Sequence, residues 1–187
     1  MDQKPRCSWC NLRNPLYVDY HDNEWGRPRP LSDIELFELL VLESFQAGLS
    51  WECVLNKRAA FRRAFDGFDP QTVRAYSPEK RQALMQDASI IRNRAKIAAA
   101  VGNAAVFCEI GAQFGSFAAY LRTFIGDAVI FETEQTTSPL SDALSADLKR
   151  RGMRFVGSTV IYSYLQAIGA INAHEQGCFL HRNGSFE

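Results

Sequence analysis

The sequence predicts an all-α fold, and three observations carry that prediction. Apolar residues recur at helical spacing along the chain. Helix-start signals, Ser32 with Glu35 and Ser77 with Pro78, stand in front of such segments. No stretch alternates polar and apolar residues as a half-buried strand would, and no internal repeat or low-complexity stretch is present. At 187 residues the chain is long enough for a real core, and 47% hydrophobic with 22% charged residues is an ordinary globular balance. The expected organisation is one unit over 1–187. Within it, an arm, 1–31, packs near the C-terminal helices of 141–187, and the central helical body carries a hairpin near 78–108.

The arm has few periodic signals and many special side chains: Cys7, Trp9, Cys10, Tyr17, Tyr20, His21 and Trp25, punctuated by Pro15, Gly26, Pro28 and Pro30. It reads as loop and short helix filling a groove on the body. The first firm helix is 32–48, opened by the Ser32–Glu35 capping box with Leu31 and Leu36 as its hydrophobic staple. Glu35, Glu38 and Gln46 share a narrow polar stripe, and Gly48 and Ser50 stop the helix. A second helix is expected over 50–65, with Lys57, Arg58, Arg62 and Arg63 outside, then a turn at 66–70 and short helices at 71–76 and 78–85. A tight connection, 87–94, leads into an Ala-rich helix over 93–108. Further helices are expected at 116–124, at 141–151 with Gly152 after its cationic last turn, and at 159–168, which is apolar nearly all round and so buried.

Glu43 breaks the pattern of its helix. Its neighbours at helical spacing are Leu39, Leu40 and Ala47, so its carboxylate faces an apolar side. A buried, unpaired charge costs roughly several kcal/mol, so such a Glu wants a partner. Trp51, just beyond the helix, offers an indole face. An acid beside an indole suits something flat, polar at its edge and cationic; the plain alternative is a surface Glu and a core Trp. The 87–94 connection could turn backbone N–H groups and a helix N-terminus toward a phosphate, with Arg92, Arg94 and Lys96 adding charge; the plain alternative is a solvated basic face.

Lys+Arg and Asp+Glu both number 21, so a nucleic-acid partner would have to be held by a local patch rather than by net charge. No apolar run of membrane-spanning length and no signal-peptide pattern stands out, which points to the cytoplasm; a monomer with no membrane partner and no nucleotide cofactor is expected. Five cysteines, an odd number in such a chain, point to metal rather than disulfides. His174 and Cys178 are four apart and share a face if that stretch is helical. With Cys7 and His21 they would make a closed, structural Cys2His2 zinc set tying the chain ends together. Cys7-Ser8-Trp9-Cys10 leaves Cys10 open as a replacement ligand, and scattered buried Cys and His is the alternative to any metal. His181 reads as a surface residue of the tail.

Several blocks coincide with one family. Arg6-Cys7-Ser8-Trp9, Tyr20-His21-Asp22-Asn23-Glu24-Trp25-Gly26, Leu42-Glu43, Gln46-Ala47-Gly48-Leu49-Ser50-Trp51, Ile90-Ile91-Arg92-Asn93-Arg94, Arg154-Phe155-Val156-Gly157 and His174-x3-Cys178 occur in this order along nearly the whole chain. Together they resemble the 3-methyladenine DNA glycosylase I family. The resemblance implies a helix-hairpin-helix glycosylase fold and removal of N3-methyladenine from double-stranded alkylated DNA. It implies one structural zinc on Cys7, His21, His174 and Cys178, and it puts Glu43, Tyr20 and Trp51 in the base pocket with Tyr17, Trp9 and Trp25 lining or supporting it. Ser89 is a departure, since the family often has Gly there, and a left-handed backbone at that position would strain a Ser.

The expected chemistry follows. The lesion is flipped out, stacks on aromatic rings, and offers its polar edge to Glu43; water then attacks the sugar. No catalytic Asp stands beyond the hairpin, where the next acids are Glu109 and Asp127, and no Lys holds a nucleophile position, so a monofunctional enzyme is expected. The rival class is a zinc-stapled helical module that binds damaged or single-stranded DNA without breaking a bond; it leaves Glu43 without a purpose. A redox role for Cys7-x-x-Cys10 lacks the strand–helix context such pairs use.

Overall fold

The computed structural model describes residues 4–182. Its elements are α1 (Pro15–Asn23), α2 (Asp33–Gln46), α3 (Trp51–Leu55), α4 (Arg58–Ala64), a 3-10 turn (Asp66–Phe68), α5 (Pro70–Arg74), α6 (Pro78–Gln86), α7 (Arg94–Phe114), α8 (Phe117–Ile125), β1 (Ile130–Phe131), α9 (Pro139–Arg150), α10 (Ser158–Ala167) and β2 (Ile171–Asn172).

α2 is the central helix. Ser32 accepts from the Glu35 N–H, and Glu35 accepts from the Ser32 N–H at 2.8 Å, so the capping box forms as the sequence indicates. Every residue from Leu36 to Phe45 is buried, because α3, α7, α8 and α10 all pack on it. Phe37, Leu40, Leu42 and Phe45 are fully enclosed. Glu38, on the polar stripe, is buried and pairs with Arg58 at 2.5 Å and Arg62 at 2.9 Å. Arg58 also reaches Glu24 at 2.8 Å, so it is turned inward rather than outside. Desolvation of that guanidinium is outweighed by its two carboxylates.

Several boundaries differ from the pattern reading, each for a local reason. The 50–65 segment splits into α3 and α4 at Asn56 and Lys57. Asn14 on the arm donates to Glu52 at 2.8 Å and to Asn56 at 2.9 Å there, so docking of the arm replaces continuation of the helix. α7 runs six residues past 108, to Phe114, where Gly115 at φ 89° ends it. It is long and apolar enough to cross a membrane, contrary to the pattern reading, yet here α2, α5, α6 and α8 pack around it. α9 starts at Pro139, not Ser141: Ser138 is the cap, and Ser141 answers it from the third position. The expected absence of strands fails in one place. Ile130 and Phe131 pair in parallel with Ile171 and Asn172, a two-residue bridge too short for alternation to register in a sequence.

Separate backbone bonds set the C-terminal segment against the arm. Gly26 N–H donates to Gln166 O at 2.8 Å, and Phe179 N–H donates to Pro5 O at 2.8 Å. Gly169, at φ +79°, is required here, since a Cβ on it would lie 2.2 Å from Arg27 O.

Candidate active site

Glu43 opens the last turn of α2, and its surroundings follow from what packs there. It is 3% exposed. Burial alone pushes its carboxyl up to about 8, and its Oε2 has no hydrogen-bond partner among the described residues. It points into a cleft of about 200 Å³ lined by Trp9, Tyr17 and Trp25 from the arm and α1's edges, Tyr20 from α1, Trp51 from α3, Gln46 from α2, and Ser163 and Gln166 from α10. Tyr20 and Trp51 face each other with ring centroids 5.0 Å apart, tilted by 45°. Trp9 stands edge-on to Trp25 at 4.7 Å and 5.5 Å from Tyr17. Burial raises Tyr20 well above the usual phenol range and Tyr17 to about 12, so both rings are neutral. Trp51 Nε1 is also buried without a partner among the described residues. The cleft therefore presents flat apolar faces with an orphaned acceptor and an orphaned donor at their edges. A planar, edge-polar group can occupy such a space, and a cation is favoured beside an acid that gains by ionising.

All six aromatic and acidic residues named from the sequence meet in this cleft. Ser163 and Gln166 were not named from it. Their signal was two polar residues three apart in an otherwise apolar helix, hence on one face.

Behind the Trp9–Trp25 wall lies a second constellation. The donor atoms of Cys7, His21, His174 and Cys178 lie within 4.8 Å of one another, and all four residues are buried. His174 Nδ1 is 3.4 Å from Cys7 Sγ and 3.5 Å from Cys178 Sγ, and His21 Nε2 is 3.5 Å from Cys178 Sγ. A tetrahedral ion with ordinary metal–sulfur and metal–nitrogen bonds would set such pairs about 3.6 Å apart. The outer contacts fit the same picture. His21 Nδ1 donates to Asp22 at 2.8 Å and His174 Nε2 donates to Trp25 O at 3.1 Å, which turns the other ring nitrogen of each, His21 Nε2 and His174 Nδ1, toward the cysteine sulfurs. Glu175 N–H and Leu180 N–H each donate to a cysteine sulfur at 3.4 Å. Burial pushes the Cys7 thiol up to about 12 and draws His174 down to about 4. The donor set thus fits a metal ion. Cys10 is outside it, with its sulfur toward Tyr17 O at 3.9 Å. His174 and Cys178 meet through turns, not the helix that their spacing suggested. His181 is half-buried and bonds His174 O at 2.7 Å rather than lying free on the surface.

The connection from α6 to α7 exposes Arg92 and Arg94. Lys96 turns the other way. It is 7% exposed, and its Nζ donates to Phe45 O at 2.9 Å and Ala47 O at 2.5 Å, closing the C-terminus of α2. Ser89 is not among the residues with left-handed backbone, so it carries no strain; it closes a turn with Asp87 at 2.8 Å.

Fold and cleft define a mostly helical protein with one acid in an aromatic cleft and a Cys2His2 cluster behind it. A family model for methyladenine glycosylase matches residues 9–181. DNA-3-methyladenine glycosylase 1 of Escherichia coli (strain K12) is 44% identical over 179 residues, covering 92% of this chain and 95% of that one. A crystal structure of 3-methyladenine DNA glycosylase I superposes with TM-score 0.88 at 41% identity, over 95% of this chain and 100% of the other. A structure of the Staphylococcus aureus 3-methyladenine DNA glycosylase I, solved for the basis of 3-methyladenine recognition, gives TM-score 0.89 at 31% identity, over 96% and 98%. The chain belongs to the methyladenine glycosylase family.

Proposed function

We propose that this protein is a monofunctional base-excision glycosylase that removes N3-methyladenine from double-stranded alkylated DNA. The observation that carries the reading is the orphaned Oε2 of Glu43 in a cleft walled by tryptophan and tyrosine. The lesion nucleotide is extruded from the duplex. Its cationic base enters the cleft against the Tyr20 and Trp51 rings, with Trp9, Tyr17 and Trp25 closing the cleft around it. Glu43 accepts from the amino edge of the base and becomes a carboxylate against its positive charge, whereas neutral adenine offers no such return for ionising a buried acid. Water adds to C1′ of the sugar, the glycosidic bond breaks, its electron pair neutralises the departing base, and the water gives up a proton to solvent. Among the described residues Glu43 is the only acid lining the cleft and no lysine lines it, which supports a single hydrolytic step on a labile bond without a covalent enzyme–DNA adduct.

The α6–α7 connection serves as the hairpin of a helix-hairpin-helix unit, with Arg92 and Arg94 on the phosphates. Lys96 is left out, because its ammonium closes α2. Zinc suits the two thiolates and two imidazoles of Cys7, His21, His174 and Cys178; it would join the chain ends and take no part in the reaction. The whole chain acts as one catalytic unit, a cytoplasmic monomer that needs no nucleotide cofactor.

The test is to incubate the protein with methylated duplex DNA and identify the released bases. Release of 3-methyladenine with 7-methylguanine left in place supports the reading; tight binding with no base released favours the DNA-binding module. Arg92→Ala and Arg94→Ala should each weaken duplex binding and lower the salt slope by roughly one, with free 3-methyladenine binding unchanged. An unaltered slope in both would remove the connection from the DNA face.

A further inference from the structure

The segment between α9 and α10 is built in an unusual way. Three successive carbonyls each face a buried polar side chain from a different helix. Asn103 of α7 donates to Arg154 O at 2.8 Å and Ser145 of α9 to Val156 O at 2.6 Å, while the Ser44 hydroxyl of α2, which also reaches Leu40 O at 2.8 Å, lies 3.1 Å from Phe155 O. Asn103 also accepts from Arg154 N–H at 2.8 Å. All three clamping residues are 5% exposed or less. What they hold is Phe155, at φ 55° and 38% exposed. A phenylalanine in left-handed backbone is strained, and an exposed one gives up burial as well; such a conformation persists only where the surroundings impose it. Nothing in the folding of the core asks for an aromatic ring there.

The segment that carries the ring adjoins two helices that line the cleft, α2 and α10. Ser44 follows Glu43 directly. α10, which begins at Ser158 just after this segment, carries Ser163 and Gln166 into the cleft. Lys96 and Asn103 are seven apart on α7, so they share a face about 10 Å apart. The first holds the end of α2, and the second holds Arg154. The segment 152–157, the end of α2 and the α6–α7 connection that opens α7 therefore lie along one line.

We propose that Phe155 is a DNA-contacting residue, a fixed aromatic platform that stacks on a base flanking the extruded nucleotide. It rests on the glycosylase reading for its partner. Prior fixing of the ring removes the ordering loss that a mobile side chain would suffer on binding.

Phe155→Ala should raise KM for 3-methyladenine release from methylated duplex DNA by roughly 5- to 150-fold, the range set by stacking one base on a ring. Binding of free 3-methyladenine, followed by tryptophan fluorescence, should not change. Phe155→Tyr should restore the duplex KM. Phe155→Gly, which relieves the left-handed backbone, should melt no lower than the parent and yet share the defect of Phe155→Ala, separating contact from folding. A duplex KM unaltered in both Phe155→Ala and Phe155→Gly overturns the proposal. If the parent protein releases no base at all, the glycosylase reading fails instead, and the affinity of the same variants for duplex DNA decides the contact alone.

Discussion

Glu43→Gln is expected to excise 3-methyladenine poorly and to be the more stable protein. The two effects share one cause. The Glu43 carboxyl titrates near 4.5 when unhindered and is pushed up to about 8 by burial. The native state thus holds this proton more tightly than the unfolded chain does. The burial costs little below pH 4.5, grows as pH rises, and levels off above about 8. Glutamine is never charged and escapes that loss. At pH 7 the variant should gain up to about 3 kcal/mol, or roughly 5–10 °C in Tm, with the gain shrinking toward zero at pH 4.5. Excision runs the other way, because a cationic base wants the carboxylate. The parent's single-turnover rate should climb with pH toward 8 and flatten beyond, while the glutamine variant stays flat and lower by roughly 10- to 150-fold, the loss of one charge-assisted hydrogen bond. Melting curves and base release across pH 5–9 measure both. Equal rates for the two proteins would remove Glu43 from the site; equal stabilities at pH 8 would mean that the carboxyl is solvated.

Removal of the metal is expected to have the largest effect of all. Binding of a structural zinc is worth on the order of 10 kcal/mol in small sites, comparable to the whole stability of an ordinary domain. Stripped of it, two thiols and two imidazoles remain packed within 4.8 Å of one another, and the arm loses its main tie to the C-terminal segment. Metal analysis should find one zinc per chain. Chelation under mild denaturant, or Cys7→Ala, should abolish cooperative unfolding at ordinary temperature, whereas Cys10→Ala should retain the ion, because the Cys10 sulfur lies toward Tyr17 O instead. A chelated protein that melts where the parent does would rule out a structural ion.

What was legible in the sequence was local. The Ser32 capping box, the Pro78 start and the apolar face around Glu43 depend on residues within a turn or two of each other, and the structure keeps them. Distant partners decided the rest. Glu38 read only as part of a polar stripe, because its partners Arg58 and Arg62, a helix away, are invisible to periodicity. Lys96 looked like a phosphate ligand because nothing nearby shows that the carbonyls of α2 await it. The rings and the acid of the cleft could be guessed from type, but Gln166 and Ser163 face it only because α10 packs against α2. Residue type and spacing raised the four-donor set, but only resemblance preferred it over Cys10, and turns rather than the expected helix bring His174 to Cys178.

The cluster has a mechanical consequence. Cys7 and His174 are 167 residues apart in the chain and 3.4 Å apart in space. With an ion in place, residues 7–178 form a closed ring. A pull on the two ends would run from Cys7 through the ion to His174 and Cys178 and bypass every helix between them. The body that carries the cleft would bear no tension until the ligands let go, and then it would bear all of it at once.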